Sequence, residues 1–215
     1  MPTQIKICGL STPETVEAAV EAGATHVGIV HYEPSPRHVE LRAAAELRRA
    51  VPDTVKLVIV TVNMQPEPLA RVIDALRPDI VQFHGSETPE WLDMVKTNTE
   101  IGVWRALGLR ERATLDRARK FEGKVDRLLF DAPAKALPGG NGTSFKWDLL
   151  DGWEPFVDWG LAGGLTPDNV GQAIHTVEPP LVDASSSLET EPGVKDSALI
   201  RAFCEAVRAA DGQSS

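Results

Sequence analysis

Several residues able to do chemistry follow apolar, strand-like runs of the sequence. Their side chains could transfer protons or pair with an anion, or their backbones could approach one: Cys8, Arg37, His84, Asp131, Gly163, Gly164, Asp183, Ser185 and Ser186. A thiol, an imidazole and carboxyl groups serve as proton donors and acceptors, and an arginine fork matches a carboxylate or a phosphate. Such chemistry is unusual for residues that only pack, so these strand ends are candidates for a site.

The run "LAGGLTPDNV" at residues 161–170 indicates anion binding. Its two glycines allow close approach of the backbone, and the helix start after them presents free N–H groups. The run "DASSS" at residues 183–187 follows the next strand-like segment. A tight turn with a helix cap is the alternative. We prefer a phosphate site made by Gly163, Gly164, Ser185 and Ser186. In (β/α)8 barrels, the fold predicted below, the loops after the last two strands commonly form such a site.

The other candidates are ambiguous when taken singly. Cys8 belongs to a residue type that is usually buried as a small hydrophobe, and that interpretation is favoured from this fact alone. Asp131 could be a turn carboxylate, and Arg37 an ordinary surface cation. His84 could simply end its strand. Gln82 shares its face by the two-residue period of a strand, however, and two polar groups on one face favour a lined cavity.

The elements that must position these residues recur along the whole chain. Short β-branched runs about 20 to 30 residues apart, the size of a βα unit, alternate with helical patterns. We predict strands at 5–8, 26–30, 55–62, 80–84, 102–106, 127–131, 157–161 and 181–184. We predict helices at 15–22, 41–51, 69–76, 91–96, 113–121, 170–177 and 199–210. Helix-start signals are a capping box in "STPE" at 11–14 and the pairs Thr88-Pro89 and Thr166-Pro167.

Eight strand–helix units predict an α/β fold, a parallel sheet closed into one (β/α)8 or TIM barrel over residues 1–215. A doubly wound open sheet is the alternative. It more often carries a glycine fingerprint after its first strand, and Cys8-Gly9-Leu10 lacks the further glycines. The segment 132–144, rich in glycine and proline, is long for a βα loop and predicts a mobile lid.

The net charge, the hydropathy pattern and the cysteines exclude several classes of binding partner and site. The net charge of −9 argues against binding the nucleic-acid backbone, which needs a basic surface. No signal peptide and no apolar run long enough to span a membrane is evident, so we expect a cytoplasmic protein. The two cysteines, Cys8 and Cys204, follow no metal-ligand spacing, which argues against a disulfide framework or a zinc site.

A set of motifs in a fixed order resembles one family over essentially the whole chain. They are "KICGL" at 6–10, "SPR" at 35–37, "VQFHG" at 81–85, "LLFDAP" at 128–133, "GGNGTSFKW" at 139–147, "LAGGLTPDNV" at 161–170 and "VDASSSLETEPGVKD" at 182–196. Together they resemble phosphoribosylanthranilate isomerase of tryptophan biosynthesis. The resemblance implies a monomeric or dimeric TIM barrel, without cofactor or metal, that acts on a small phosphorylated sugar by an Amadori rearrangement.

The resemblance also implies a role for each candidate residue. Cys8 would be the general base, suited by a thiol pKa of about 8.5 that positive surroundings or helix N-termini can lower further. Asp131 would be the general acid, with its pKa raised by hydrophobic or anionic surroundings. Arg37 would pair with the anthranilate carboxylate. Gln82, His84 and Asp183 would orient sugar hydroxyls or the catalytic pair, and Cys204 would stay in the core.

Four positions depart from the family pattern: His31, Lys146, Ala162 and Ser187. Ser187 matters most, because a side chain in place of glycine could crowd the phosphate loop or force another backbone angle. Two alternatives to the isomerase remain. A histidine-pathway or dual-substrate isomerase performs the same reaction but would be expected to use two aspartates. A non-catalytic phosphate-binding barrel would not need Cys8 and Asp131.

Overall fold

The computed structural model describes residues 1–131 and 147–213. Its main sheet comprises β1 Gln4–Cys8, β2 His26–Val30, β3 Lys56–Thr61, β4 Ile80–Phe83, β5 Gly102–Gly108, β6 Arg127–Asp131, β7 Asp158–Leu161 and β8 Leu181–Ala184. Each strand pairs in parallel with the next, and β8 pairs with β1. The predicted TIM barrel is confirmed. The predicted lid at 132–144 and Lys146 lie outside the described residues.

Helices connect the strands on the outside of the barrel. They are α1 Pro13–Glu21, α2 Leu41–Arg48, α3 Pro66–Leu76, α4 Pro89–Asn98, α5 Ala113–Ala118, α6 Val170–Val177 and α7 Ser197–Gln213. Within the described part of the β6–β7 connection, the helical element is a 3₁₀ turn, Trp147–Leu150. After β8 come a 3₁₀ turn, Ser186–Leu188, and an antiparallel hairpin of β9 Glu189–Glu191 and β10 Val194–Lys195. No helix in the described ranges is long and apolar enough to cross a membrane.

The helix-start signals were partly right. Thr88 caps α4 by accepting a hydrogen bond from the Trp91 amide at 3.3 Å, as predicted. The capping box of α1 is shifted by one residue: Thr12 caps the helix and Thr15 completes the box. The Thr166-Pro167 signal lies one turn before its helix: the Thr166 side chain accepts from the Asp168 amide at 3.2 Å, and the helix itself occupies the predicted range 170–177. The Asn169 side chain accepts from the Thr166 amide at 2.8 Å and stabilises a turn, so α6 begins only at Val170.

The strand alternation divides the apolar side chains between two layers. One cluster, formed by strand residues alone, fills the barrel: Val58, Ile80, Trp104, Ala106, Leu129 and Leu181. The alternate strand residues pack outward against the helices, where Cys204 of α7 is also fully buried, as predicted. Burial of this apolar area is the main stabilising contribution. Nearer the carboxyl ends of the strands, the inward positions also include buried polar residues, among them Gln82 and Asp183.

Candidate active site

A pocket of about 1250 Å³ opens at the carboxyl ends of the barrel strands. Its lining includes every site residue that the sequence predicted: Cys8, Arg37, Gln82, His84, Asp131, Gly163, Gly164, Asp183, Ser185 and Ser186. These residues lie far apart in the chain but meet because parallel strands present their carboxyl ends on one face of the barrel. The structure therefore brings together the whole predicted set.

Cys8 is the last residue of β1 and its side chain points into the barrel. It packs with Val30 and Val60, and Tyr32 lies against this cluster. The neighbouring strand makes room for the thiol at Gly28, where a Cβ atom would lie 3.1 Å from the Cys8 sulfur. Cys8 is 8% exposed, so its sulfur borders the pocket rather than lying free in solvent.

The electrostatic setting of Cys8 differs from the sequence-based expectation. Burial raises the pKa of the Cys8 thiol, and attraction to Lys6 and Lys195 opposes this rise without cancelling it. Repulsion from Asp183 adds to the rise. Positive groups do surround the thiol, as expected, but their effect is smaller than the cost of removing a thiolate from water.

Lys6 is a site residue that the sequence analysis missed. It is fully buried inside the barrel, and its ammonium group donates to Asp183 Oδ2 at 2.7 Å. Burial alone would lower the pKa of Lys6, but attraction to Asp183 and Cys8 outweighs burial and raises it. Lys6 is therefore charged. The two-residue period of β1, which places Lys6 and Cys8 on one face, could have revealed it.

His84 and Asp131 face each other across the pocket, with 3.5 Å between His84 Nε2 and Asp131 Oδ2. The Asp131 side chain is 27% exposed. The pKa of His84 is lowered by desolvation within the pocket and by repulsion from Lys6 and Arg105, although 40% of its side chain remains exposed. His84 is therefore neutral at pH 7 and adds no positive charge that would favour the ionised form of Asp131.

A buried ion pair, which the sequence analysis also missed, supports the loop of His84. Glu87 accepts from Arg105 at 2.7 Å, from the Asn63 amide at 2.7 Å and from the Gly85 amide at 2.9 Å. A Cβ atom at Gly85 would lie only 2.4 Å from the Asn63 side-chain oxygen. This packing ties together the loops after β3 and β4, so His84 is held at a defined position.

The glycine pair after β7 has the backbone geometry that the sequence predicted. Gly163 and Gly164 have φ angles of 80° and 71°, in the left-handed region that favours glycine. A Cβ at Gly164 would meet no atom within 4 Å, so the backbone faces open space. Asn169 donates to the Gly164 carbonyl at 2.9 Å and fixes this loop.

Ser187 does not disturb the loop in the way expected from the sequence. It lies in the 3₁₀ turn Ser186–Leu188, and its φ angle is not in the left-handed region that would require glycine. Its hydroxyl donates to the Leu165 carbonyl, so it connects the loops that follow β7 and β8. A serine at this position is therefore compatible with the predicted phosphate site.

Arg37 is already paired in the structure. Its Nε and Nη2 atoms donate to the two carboxylate oxygens of Glu189 at 2.6 and 2.7 Å. Glu189 also accepts from Lys195 of the same hairpin. The sequence analysis did not identify Glu189 or Lys195, because nothing local to the hairpin shows that it folds over the loop after β2.

Two buried side-chain oxygens of pocket-lining residues lack a protein partner within the described residues: Gln82 Oε1 and Asp183 Oδ1. Gln82 is 2% exposed and Asp183 7% exposed. Because buried polar atoms are nearly always hydrogen-bonded, both are available to a ligand. Within residues 1–131 and 147–213, no cluster of three or more His, Cys, Asp or Glu residues could hold a metal ion.

A closed parallel barrel with proton-transferring side chains and a glycine loop at its carboxyl face defines a (β/α)8-barrel enzyme. The sequence profile described as N-(5'-phosphoribosyl)anthranilate (PRA) isomerase matches residues 5–206. The chain belongs to the N-(5'-phosphoribosyl)anthranilate isomerase family.

Individual relatives agree with this assignment. The chain is 65% identical over 206 residues to an N-(5'-phosphoribosyl)anthranilate isomerase of Erythrobacter litoralis, covering 96% of this chain and 99% of the relative. It is 46% identical over 213 residues to the corresponding protein of Mesorhizobium japonicum, covering 98% and 97% of the two chains.

Solved structures show the same likeness. The phosphoribosyl anthranilate isomerase of Thermotoga maritima has a TM-score of 0.89 at 32% identity, covering 96% of this chain and 99% of that chain. A second isomerase structure, solved in complex with reduced 1-(o-carboxyphenylamino)-1-deoxyribulose 5-phosphate, has a TM-score of 0.86 at 31% identity with the same coverage.

Proposed function

We propose that this protein converts N-(5'-phosphoribosyl)anthranilate to 1-(2-carboxyphenylamino)-1-deoxyribulose 5-phosphate, the isomerase step of tryptophan biosynthesis. The observation that carries this proposal is the meeting of Cys8 and Asp131 in one pocket with Arg37 and the glycine loop. The reaction is an aldose–ketose isomerisation that needs one acid, one base and anchors for two anions. The pocket offers a residue for each need.

In the first step Asp131, protonated, gives its proton to the ring oxygen of the ribose. The bond between that oxygen and C1' breaks, and the lone pair of the arylamine nitrogen forms an iminium. A general acid needs a carboxyl group that stays protonated near neutral pH. The neutral His84, 3.5 Å away, is consistent with this need because it does not stabilise the carboxylate as a cation would.

In the second step Cys8, as thiolate, removes the proton from C2'. The electrons of that C–H bond form the C1'–C2' double bond, and the iminium electrons return to nitrogen to give an enolamine. Protonation of C1' and loss of the hydroxyl proton at C2' then yield the ketone. Lys6 and Lys195 favour the thiolate against the effect of burial.

The remaining residues hold the substrate in this proposal. Arg37 pairs with the anthranilate carboxylate, while backbone and hydroxyl donors of the loops after β7 and β8 bind the phosphate. Gln82 Oε1 and Asp183 Oδ1 accept from sugar hydroxyls, which would satisfy both buried atoms.

We further propose a cytoplasmic enzyme made of one barrel domain, acting as a monomer or homodimer and binding neither nucleic acid nor membrane. One structural relative at 31% identity is described as generated monomers of the dimeric isomerase of Thermotoga maritima. The net charge of −9 is unfavourable for contact with a phosphate backbone. Every proposed step is a proton transfer, so the mechanism needs no cofactor or metal.

The test is a steady-state assay on freshly prepared N-(5'-phosphoribosyl)anthranilate, following the loss of its fluorescence. Cys8→Ala and Asp131→Asn should each lower kcat about 10²- to 10⁴-fold, the usual contribution of a general acid or base. Cys204→Ala is the matched control, because it removes the other thiol, which lies on α7 away from the pocket. That variant should keep kcat within about 2-fold.

Two results would contradict the proposal. Wild-type protein that binds inorganic phosphate without turning over this substrate would indicate a binding barrel or a different sugar phosphate. Full activity in Cys8→Ala would remove the thiol from the mechanism.

A further inference from the structure

The carboxylate of Glu189 is an unusually well-satisfied group that the proposed chemistry does not use. It accepts from Arg37 Nε at 2.6 Å, from Arg37 Nη2 at 2.7 Å, from the Gly193 amide at 3.2 Å and from Lys195 Nζ. Its side chain is only 4% exposed. Four donors around one buried carboxylate fix its position, and with it the position of the guanidinium group.

Glu189 pairs with one edge of the Arg37 guanidinium, and a second edge faces away from this pair. A guanidinium has five N–H groups in a planar fork, and Glu189 takes one from Nε and one from Nη2. Nη1, with two N–H groups, has no hydrogen-bond partner among the described residues. Arg37 lines the pocket with 22% of its side chain exposed. The edge formed by Nη1 and Nη2 is therefore the one available to a second carboxylate.

The hairpin that carries Glu189 is itself fixed against the loop of Arg37. A Cβ atom at Gly193 would lie 2.3 Å from the Pro36 carbonyl oxygen, so the two backbones are in close contact. Lys195, at the end of the hairpin, also donates to the Ser185 carbonyl at 3.0 Å. Glu189 is thus held from the β8 side of the barrel while it orients a residue that follows β2.

Arg37, Glu189 and Lys195 together carry a net positive charge that can attract an anion. Arg37 and Lys195 contribute two positive charges and Glu189 one negative charge, so the group keeps one net positive charge. With Lys195 paired to the same carboxylate, Glu189 does not neutralise Arg37 fully. A substrate carboxylate would therefore still be attracted to the free edge.

We propose that Glu189 is a positioning residue that presents the Nη1/Nη2 edge of Arg37 to the aryl carboxylate of the substrate, and so makes the site selective for carboxylated arylamines. This inference rests on the proposed function, since it assumes the arylamine substrate. It differs from a purely structural role for Glu189, in which the residue would only hold the hairpin in place.

The test compares two substrates that differ only in the carboxylate: N-(5'-phosphoribosyl)anthranilate and N-(5'-phosphoribosyl)aniline. The ratio of their kcat/KM values measures selectivity for the carboxylate. In Glu189→Gln, one acceptor becomes a donor facing the guanidinium, and the fixed orientation of Arg37 is lost. We expect the ratio to fall about 10-fold or more, within the range that small misplacements cost. The aniline substrate should change less than about 2-fold.

Glu191→Gln is the matched control, because Glu191 lies on the same hairpin, borders the same pocket and carries the same charge. In Glu191→Gln, the ratio of the kcat/KM values for the two substrates should stay at the wild-type value. Glu189→Asp keeps the charge but shortens the side chain by one methylene, and it should lower the ratio as well. This second variant tests the proposal even if Glu189→Gln does not fold, which circular dichroism would show.

Two outcomes overturn the proposal. An equal loss on both substrates means that Glu189 only supports the hairpin. A higher ratio in Glu189→Gln means that its charge opposes substrate binding and that orientation of Arg37 contributes little. Failure of the wild type to turn over N-(5'-phosphoribosyl)anthranilate would instead count against the proposed function itself.

Discussion

His26 should make the fold sensitive to mild acid. It begins β2 at the end of the barrel opposite the pocket, and only 6% of it is exposed. Its ring lies 5.1 Å from the Trp104 ring, and Arg127 sits over the same Trp104 at 4.7 Å. Burial, together with repulsion from Arg127 and Lys6, lowers the pKa of His26 from 6.5 to about 3.

The direction in which the free energy of unfolding changes with pH follows from proton linkage. Between pH 6.5 and about 3, the unfolded chain binds a proton at His26 that the folded chain does not bind. The free energy of unfolding must therefore decrease as pH falls below 6.5. At about 1.4 kcal/mol per pKa unit, the loss is about 2 kcal/mol near pH 5 and about 5 kcal/mol below pH 3.

The assay is urea unfolding followed by tryptophan fluorescence, near pH 8 and near pH 5, for the wild type and His26→Gln. The variant has no group to titrate at this position, so its stability should fall about 2 kcal/mol less over that interval. His175→Gln removes an exposed histidine of α6 and controls for histidine loss itself. Equal pH dependence in the wild type and His26→Gln would refute the reasoning.

Two further predictions concern the site. Lys6→Gln should raise the pKa of Cys8 and move the acidic limb of the pH–kcat/KM profile to higher pH, because it removes the positive charge that most strongly opposes the effect of burial. A thiolate absorbance titration in a Cys204→Ala background would measure the shift in the pKa of Cys8. An unchanged acidic limb would show that Lys6 does not affect this pKa. Ser187→Gly should lower stability by about 1 kcal/mol, through loss of the hydrogen bond to Leu165, without increasing kcat/KM. A gain of activity in Ser187→Gly would show that the serine does crowd the phosphate loop.

The architecture could be predicted from the sequence because its signals are local. Each strand is a short β-branched run, and the eightfold alternation with helices permits few topologies. Local signals were less reliable at helix starts. The pair Thr166-Pro167 resembles a cap followed by proline, but a turn closed by the Asn169 side chain separates this pair from the helix, which begins at Val170 as its helical spacing predicted. Caps compete with turns for the same side chains, and sequence alone does not decide between them.

That the candidate residues would lie in one pocket was also predictable, because the residues at the carboxyl ends of the strands must meet in a barrel. Their partners were not. Glu189 reaches Arg37 across 152 positions of the chain, and Glu87 reaches Arg105 across 18. Neither contact follows from a periodic pattern. Lys6 is the exception, since the strand period places it beside Cys8.

The pairing of charges explains how a barrel interior tolerates so many ionised groups around one thiol. A buried charge is costly unless it is paired and hydrogen-bonded. Lys6 pairs with Asp183, and Lys195 with Glu189, so these four charges cancel in the absence of substrate. Arg37 shares Glu189 and keeps the remaining positive charge. In the proposed mechanism that positive charge lies close to the Cys8 thiolate, which it attracts, and it also attracts the carboxylate of the bound substrate.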